Sequence, residues 1–197
     1  MRLEGDAEKV RLNLEQRIKE LQDEVRKLSS PRGLPPWELI QHKRLTEAAT
    51  EVGFSGLRGN TDIEYLLRGY VIVPTTTAGG IQLRPNGATT NLRGQGIRGS
   101  GSTATASAGT NDIAVARTLA VAGVSTFEGT FYVRAGDLRT WQGVCGVHET
   151  STPETVAETR TGRWADTTTE VTSLLLVAPT TGGFGAESEF SLYRRTR

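Results

Sequence analysis

The stretch STFEGTFYV, residues 125–133, alternates along its length between apolar side chains and polar or small ones. Phe127, Phe131 and Val133 fall on one side of this alternation, and Glu128 and Thr130 fall on the other. A period of two places successive side chains on opposite faces of a β-strand, so that one face can be buried in a core. The stretch therefore predicts a half-buried strand of an antiparallel sheet.

Similar strand patterns recur along the chain after residue 36. The clearest further example is DIEYLLRGYVIV at 62–73, and turn-forming residues such as PNG at 85–87 separate the segments. The other candidate strands lie near 46–54, 80–84, 91–97, 111–116, 140–147, 157–164, 170–177 and 189–193. About eight to ten short strands separated by turns are typical of a sandwich. The sequence predicts a mainly β chain with an antiparallel, jelly-roll-like β-sandwich over 37–197.

The first thirty residues differ from the rest, because they are highly charged and contain no proline. Their apolar residues are separated by three or four positions, which is the spacing of a coiled-coil seam. The predicted oligomerisation seam consists of Leu3, Ala7, Val10, Leu14, Ile18, Leu21, Val25 and Leu28. We predict a coiled-coil helix over 1–30 for oligomerisation or attachment. A stiff, proline-rich linker, PRGLPP at 31–36, follows it.

The number of chains in this coil is less well defined by the sequence. Ile18 and Val25 at a-type positions, with leucine at d-type positions, favour two strands. A step of four between Leu14 and Ile18 breaks the heptads and locally unwinds the supercoil, which weakens that rule. A single helix packed on its own β domain is the alternative to self-association, but the narrow seam and the charged remaining faces favour self-association.

Residues 94–99, GQGIRG, match the G-x-G-x-x-G pattern of dinucleotide-binding loops. That pattern binds a pyrophosphate only where the glycines follow a strand and open a helix. Here the residues that follow, SGSTATASAGTND at 100–112, have no apolar helical face. The chain also contains 23 glycines, so a chance match is expected. The sequence predicts a strand that ends in a long surface loop, and no nucleotide cofactor.

Nucleophilic and metal-binding groups are sparse. Cys145 and His148 lie close together in CGVHE at 145–149, as a Cys–His pair would require. Cys145, however, shares the alternating face of Trp141 and Val147, which predicts a buried structural thiol. His148 and His42 are the only histidines, and neither has metal-ligand spacing to other His or Cys residues. We predict no catalytic residue, no metal site and no cofactor.

Carboxylates and tryptophans are the other side chains of this sequence that could bind a ligand or catalyse a reaction. A glycosidase needs a pair of carboxylates, whereas the acidic residues here are scattered and are expected on solvated strand faces: Glu154, Glu158, Asp166 and Glu170. Tryptophans can stack on sugars, but in an all-β domain they are more often core or interface anchors, and this is the prediction for Trp37, Trp141 and Trp164. The sequence predicts that the protein is not an enzyme, and it does not identify ligand-binding residues.

Charge and hydropathy narrow the range of partners. The formal net charge is +1 and the basic tail RRTR at 194–197 is short, so nucleic acid is not an expected partner. No apolar stretch reaches the roughly 18 residues of a membrane-spanning helix, so membrane insertion is not expected. The N-terminal segment has no apolar signal region, and Cys145 is the only cysteine. Synthesis in a reducing cytoplasm is the expectation.

Four stretches of the β region are similar in order and spacing to a domain of tailed-bacteriophage virion proteins. They are VGFSGL (52–57), IQLRPNG (81–87), GRWADTTTEVTSLLLVAPTTGGF (162–184) and SEFSLYRR (188–195). The chain from about residue 37 to residue 193 resembles the β-sandwich domain of tail-fibre, minor tail and head-decoration proteins. This resemblance implies an architecture and a role in the virion, and it implies no catalytic residues.

The resemblance also sets expectations for assembly and location. Fibrous virion proteins of this kind are usually trimers, so a homotrimer is favoured, with other virion proteins as further partners. The expected location is the virion, after synthesis in the cytoplasm of the host bacterium. The favoured function is a fibre or spike whose β domains project outward and bind a host-surface carbohydrate.

Two other functions are consistent with parts of the sequence. The first is a head-decoration or tail structural protein that docks on other virion subunits without binding a receptor. The second is an enzyme of glycan breakdown, which would need paired carboxylates in a cleft. The sequence ranks the fibre first and the enzyme last.

Replacing Leu21 or Ile18 by aspartate should dissociate the oligomer, because the variant would bury unpaired like charges in the seam. The absolute mass of the full chain, measured by light scattering, should then fall to that of the monomer. Gln16→Asp is the matched control, since it places the same charge outside the seam and should leave the mass unchanged. An unchanged mass in both seam variants would show that the coiled coil does not hold the assembly together.

Overall fold

The computed structural model describes residue 16 and residues 35–74, 79–100, 103–110, 112–118, 122–149, 155–179 and 183–196. All of its strands belong to one compact unit, Trp37–Thr196. Gln16 is helical and exposed. The remainder of the predicted helix at 1–30, with its whole seam, lies outside the described residues, as does the linker up to residue 34. The coiled coil therefore stays a prediction.

The described part of the chain is mainly β and antiparallel, as predicted. Its strands are β1 (Glu38–Arg44), β2 (Glu51–Ser55), β3 (Asp62–Val73), β4 (Gly79–Pro85), β5 (Leu92–Ser100), β6 (Thr103–Thr110), β7 (Ala114–Thr118), β8 (Gly123–Tyr132), β9 (Arg139–Glu149), β10 (Thr155–Trp164), β11 (Ser173–Val177) and β12 (Glu189–Thr196). Within the described ranges, no helix has the length and apolar character needed to cross a membrane.

The strands form two sheets, and all their pairings are antiparallel. The larger sheet has the order β1-β12-β3-β8-β9-β10-β5-β6, and the smaller one has the order β2-β11-β4-β7. Strand β1 pairs with β12, β2 with β11, β3 with β8 and β4 with β7, so the chain resembles a long hairpin rolled into two layers. This strand order is that of a jelly roll.

Two hairpins are added to this jelly roll, and both extend the larger sheet. Hairpin β9–β10 is inserted between β8 and β11, and hairpin β5–β6 is inserted between β4 and β7. The two hairpins meet where β10 pairs with β5, over nine residue pairs from Val156↔Ser100 to Trp164↔Leu92. Residues 92–100 and 156–164, which are far apart in sequence, thus become neighbours on the larger sheet. We call these four strands the extension.

Two strands were missed from the sequence. The sequence pattern does not predict strand β1. It predicts a loop at 100–112, which is wrong because most of this segment forms strand β6. The G-x-G-x-x-G residues at 94–99 lie inside β5. Strand β6 pairs with β5 without interruption from Ser100↔Thr103 to Arg93↔Thr110. It has no large apolar residue because it is an edge strand, exposed from Thr103 to Ala108.

The turn at 85–87 is confirmed, and it also positions a second strand. Asn86 and Gly87 both have positive φ, 51° and 69°, and the Ala88 N–H donates to the Pro85 carbonyl at 2.9 Å. These features define the two-residue hairpin-type turn that Asn-Gly favours. The Asn86 Oδ1 accepts hydrogen bonds from the backbone N–H groups of Thr172 and Ser173 at 2.9 and 3.1 Å. The turn therefore fixes the start of β11.

The core lies between the inner faces of the two sheets. Its largest fully buried apolar side chains include Trp141, Tyr65, Phe54, Phe131 and Phe184. The predicted inward side of 125–133 is confirmed, since Phe127, Phe131 and Val133 are all buried.

Two facing glycines allow close packing of an aromatic ring in this core. Gly129 of β8 lies directly opposite Gly143 of β9. A Cβ atom built on Gly129 would lie 2.3 Å from Cζ2 of Trp141, and one on Gly143 would lie 2.8 Å from the same atom. These distances are far below van der Waals contact, so the indole ring occupies the space that two side chains would fill. This contact joins the jelly roll to the first strand of the extension.

Gly129→Ala should destabilise the fold by about 1–3 kcal/mol, because its methyl group overlaps the Trp141 ring. Urea denaturation measures the change in the free energy of unfolding. Gly53→Ala is the matched control, since its Cβ would make only an ordinary contact of 3.6 Å with Leu175. It should leave stability unchanged or raise it by about 0.5 kcal/mol. Equal stability of the two variants would show that the glycine pair does not constrain the core.

Candidate functional site

The Cys–His pair suggested by CGVHE does not form. Cys145 is 4% exposed and faces the core with Trp141 and Val147, whereas His148 is exposed on the opposite side of β9. Residues three apart on a strand point to opposite faces. Burial raises the pKa of the Cys145 thiol to about 11, and the charge of Glu158 adds to this effect. The prediction of a buried structural thiol is confirmed.

Glu158 corrects one expectation, because it is buried and not on a solvated strand face. It is 4% exposed, and one of its carboxylate oxygens accepts a hydrogen bond from Nε of Arg160 at 2.7 Å. The other oxygen lies 4.0 Å from Nε of Arg98. The positive charges of these arginines lower the free-energy cost of burying the carboxylate. The sequence could not reveal this because Glu158 faces inward only in the observed register of β10.

Asp166 fastens a loop to the start of β9. Its Oδ1 accepts hydrogen bonds from the backbone N–H groups of Thr168 and Thr169, both at 2.9 Å, and these bonds hold the pKa of its carboxyl well below its usual range. Its carbonyl oxygen accepts a hydrogen bond from fully buried Arg139, whose guanidinium lies 5.1 Å from the centre of the Trp164 ring. These contacts give Asp166 a structural role.

Glu170 is engaged in a contact with a neighbouring loop. The carboxylate of Glu170 accepts a hydrogen bond from the Asn60 N–H at 3.4 Å. Glu154 lies outside the described residues. In the part of the chain that the structure describes, no group of three or more His, Cys, Asp or Glu residues could hold a metal ion.

The tryptophans are mainly core residues, as predicted. Trp141 and Trp164 are 1% and 4% exposed. Trp37 is half-buried, and the guanidinium of Arg195 lies 4.2 Å from its ring centre. Arg195 also donates a hydrogen bond to the buried Glu64 at 2.6 Å. Trp37 thus covers an ion pair at the start of the β domain.

An open groove on the outer face of the extension is the best candidate for a binding site. It has a volume of about 770 Å³, and the side chains along it come from β9, β10 and β5: Gln142, Thr161, Arg163, Arg93 and Gln95. A second groove of about 500 Å³ continues it toward β6 and shares Gln95 and Thr161. We call the two together the trough.

The register arranges the side chains of the trough in rows across the strands. The first row is Thr140, Arg163 and Arg93, and the second is Gln142, Thr161 and Gln95. The third row is Thr159 and Ile97, which line the trough, and Val144, which lies beside it opposite Thr159. Val144 is 57% and Ile97 is 63% exposed. A cationic row, an amide and hydroxyl row and an aliphatic row therefore lie side by side.

The cationic row has no counter-charge. Elsewhere on the outer face of the larger sheet, carboxylates have arginine partners: Glu128 with Arg68 at 2.5 Å, Glu64 with Arg195 at 2.6 Å, and Glu189 with Arg44 at 3.6 Å. Arg93 and Arg163 are both exposed, and neither has an ion-pair partner among the residues that the structure describes. The trough is therefore electropositive at one end.

Sequence reasoning did not find the trough. Its side chains alternate with glycines in β5, where Arg93, Gln95 and Ile97 flank Gly94 and Gly96, and this alternation was a visible signal. The pairing of β5 with β10 had no signal, because it joins two hairpins about 65 residues apart. Without that pairing the two arginines appear unrelated.

No family model matches this sequence. No curated protein matches it either. Among solved structures, the N-terminal β-barrel domain of Pseudomonas aeruginosa OprF aligns with 52% of this chain and 98% of its own, at 7% sequence identity and a TM-score of 0.18. A likeness of this size carries no argument about fold or function.

The burial of Cys145 can be tested by its reactivity. In the native protein at pH 8, a disulfide reagent should react with the thiol more than about 100-fold more slowly than in the urea-unfolded chain, because little thiolate forms and access is blocked. Cys145 is the only cysteine, so the unfolded chain is an internal control. A native rate within about tenfold of the unfolded rate would contradict the buried position.

Proposed function

We propose that this chain is a bacteriophage virion protein, a trimeric fibre or spike whose β domains project outward and bind a host-surface glycan. The observation that carries the binding role is the trough, an open groove lined by amides, hydroxyls and guanidinium groups. Polar groups of these types hydrogen-bond the hydroxyls of sugars, and an open groove admits a polymer that a closed pocket would exclude.

The assembly part of the proposal rests on the predicted seam at 1–30 and on the resemblance of the β region to virion domains. A parallel trimer joined by its helices would present three copies of the trough. Weak binding at each copy would then give strong attachment to a surface, because the second and third contacts are intramolecular.

The arrangement of polar groups favours binding over catalysis. The buried carboxylate Glu158 is compensated by arginines, and Asp166 is engaged with backbone N–H groups. Along the trough, the described side chains from β9, β10 and β5 include neither a carboxylate nor a histidine that could act as a general acid or base. We therefore propose recognition of a glycan without its cleavage.

A head-decoration or tail structural protein is the second candidate, and the aliphatic row of the trough favours it. Ile97 and Val144 are among the most exposed large apolar side chains of the described residues. A partner subunit of the virion could cover them in an assembled particle. The two candidates differ in what the isolated chain binds.

Two measurements on the full chain test the proposal. Light scattering should give three times the chain mass of 21.3 kDa. An array of bacterial surface polysaccharides, probed with the labelled chain, should show binding to at least one of them, and the same polysaccharide in solution should compete.

A dimeric or monomeric mass would contradict the trimer. The absence of binding to every polysaccharide, together with binding to purified phage particles that lack this protein, would contradict the receptor-binding role. The same pair of results would support the second candidate, a head-decoration or tail structural protein. The two measurements are independent, so each part of the proposal can fail by itself.

A further inference from the structure

We infer that the trough recognises an acidic saccharide, and that Arg93 and Arg163 together hold an anionic group carried by one of its sugars. This inference rests on the glycan-binding function proposed above and adds the chemical class of the ligand. The structure supplies three observations for it: an unpaired arginine pair, an adjacent row of amides and hydroxyls, and an aliphatic row beyond.

The arginine pair is the first observation. Arg163 of β10 and Arg93 of β5 are direct cross-strand neighbours on the outer face. Side chains in such positions leave the backbone with Cβ atoms about 4.5–5.5 Å apart, and like charges placed this way destabilise a sheet. Neither arginine has a carboxylate partner in the described part of the chain. An anion bound between the two guanidinium groups would remove this repulsion.

The geometry of the guanidinium groups indicates which anions the arginine pair can bind. Each guanidinium presents parallel N–H donors that match the two oxygens of a carboxylate, or two oxygens of a phosphate ester. Both groups occur as substituents of saccharides. The shared chemistry is an oxyanion on a sugar, and the experiment below distinguishes the two sources.

The second row supports a saccharide over a free anion. Gln142, Thr161 and Gln95 lie next to the arginine pair, two residues along each strand, which corresponds to about 7 Å. The amides both donate and accept hydrogen bonds, as sugar hydroxyls require. A sugar whose anionic group contacts the arginines can therefore place its own or its neighbour's hydroxyls on this row.

The third row supports an extended ligand. Val144 and Ile97 flank Thr159 and are largely exposed. The C–H face of a sugar ring is apolar, and contact with aliphatic side chains removes this surface from water. The two grooves of the trough share Gln95, Thr161 and Ala108, and the second groove reaches Thr159 and Ile97 of the third row. An acidic oligosaccharide that crosses the rows can make an ionic contact with the first, hydrogen bonds with the second and apolar contacts with the third.

Nucleic acid fits the trough less well, although it is also anionic. Single-stranded nucleic acid is bound by stacking on aromatic side chains and by many phosphate contacts. Trp141 of β9 borders the trough but is only 1% exposed, so it offers no ring face for stacking, and among the described lining residues the unpaired charge is confined to two arginines.

The test uses the full chain and oligomers of galacturonic acid as the probe, with the same oligomers as methyl esters for comparison. Esterification removes the charge and keeps the hydroxyls. Calorimetry should show binding of the acid form at low salt, with at least tenfold weaker binding of the ester. Phosphate-substituted oligosaccharides form a second arm, and tighter binding in that arm would assign the anion to phosphate.

Variants at the arginine pair connect the binding to the trough. Arg93→Gln and Arg163→Gln should each weaken binding of the acid form about tenfold, and the double variant should bind acid and ester forms equally. Arg163→Lys should bind the acid form more tightly than Arg163→Gln but less tightly than the parent. Lysine keeps the positive charge but lacks the paired N–H donors of a guanidinium group. Arg58→Gln is the matched control, because Arg58 is an exposed arginine in the loop between β2 and β3, and it should bind like the parent.

Thermal unfolding without ligand separates a binding role from a structural one. Arg163→Gln should unfold at the same or a slightly higher temperature at low salt, because it relieves the repulsion with Arg93. Any gain should disappear in high salt, which screens the charges. A clear fall in the unfolding temperature would show that the arginine pair stabilises the sheet, and this would overturn the inference.

The remaining outcomes distinguish the inference from the proposed function. Binding of neutral and acidic saccharides with equal affinity, unaffected by the arginine variants, would overturn the inference and leave the glycan-binding function intact. Binding of no saccharide in any arm or on the polysaccharide array would overturn both. Loss of binding only in the arginine variants, with Arg58→Gln unchanged, would support both.

Discussion

The packing of Trp141 on the paired glycines Gly129 and Gly143 is the constraint on which the rest of the β domain depends. The indole ring can approach the two strands this closely only because neither glycine has a side chain, and it fills the space that two side chains would otherwise occupy. This contact lies where strand β8 of the jelly roll meets strand β9, the first strand of the extension. The extension continues from this point through β10 and β5 to β6. The inner surface of the sheet is thus anchored by an aromatic ring, and its outer surface carries the trough.

The charged residues divide according to the face on which they lie. The buried carboxylate of Glu158 is compensated at short range by its hydrogen bond from Arg160, because an uncompensated carboxylate in a core is costly. On the outer face of the extension, Arg93 and Arg163 lie opposite each other without a counter-charge. A like-charge pair does not stabilise a sheet. This contrast is the physical reason for assigning the arginine pair to ligand binding and the buried carboxylate to structure.

The proposed fibre function combines the β domain with the helix predicted over 1–30. The β domain is described in atomic detail, and its trough provides a surface of stated chemistry. The oligomerisation helix predicted over 1–30 rests on the spacing of its apolar residues. Multivalent presentation of a weak site by a coiled coil is a general way to reach firm attachment without a deep pocket. The proposal therefore needs only modest affinity from each trough.

The sequence by itself determined the features that depend on local chemistry. The alternation in 125–133 placed Phe127 and Phe131 in the core, and the Asn-Gly pair at 86–87 defined a turn, because period and turn conformation are properties of neighbouring residues. Only the tertiary structure decided that β6 is a strand, that Glu158 faces inward and that β5 pairs with β10. Each of these depends on the register between segments distant in sequence, and a shift of one residue would turn every side chain of a strand to the other face. The candidate site lies on such a pairing, and for this reason the sequence predicted the sandwich but not the trough.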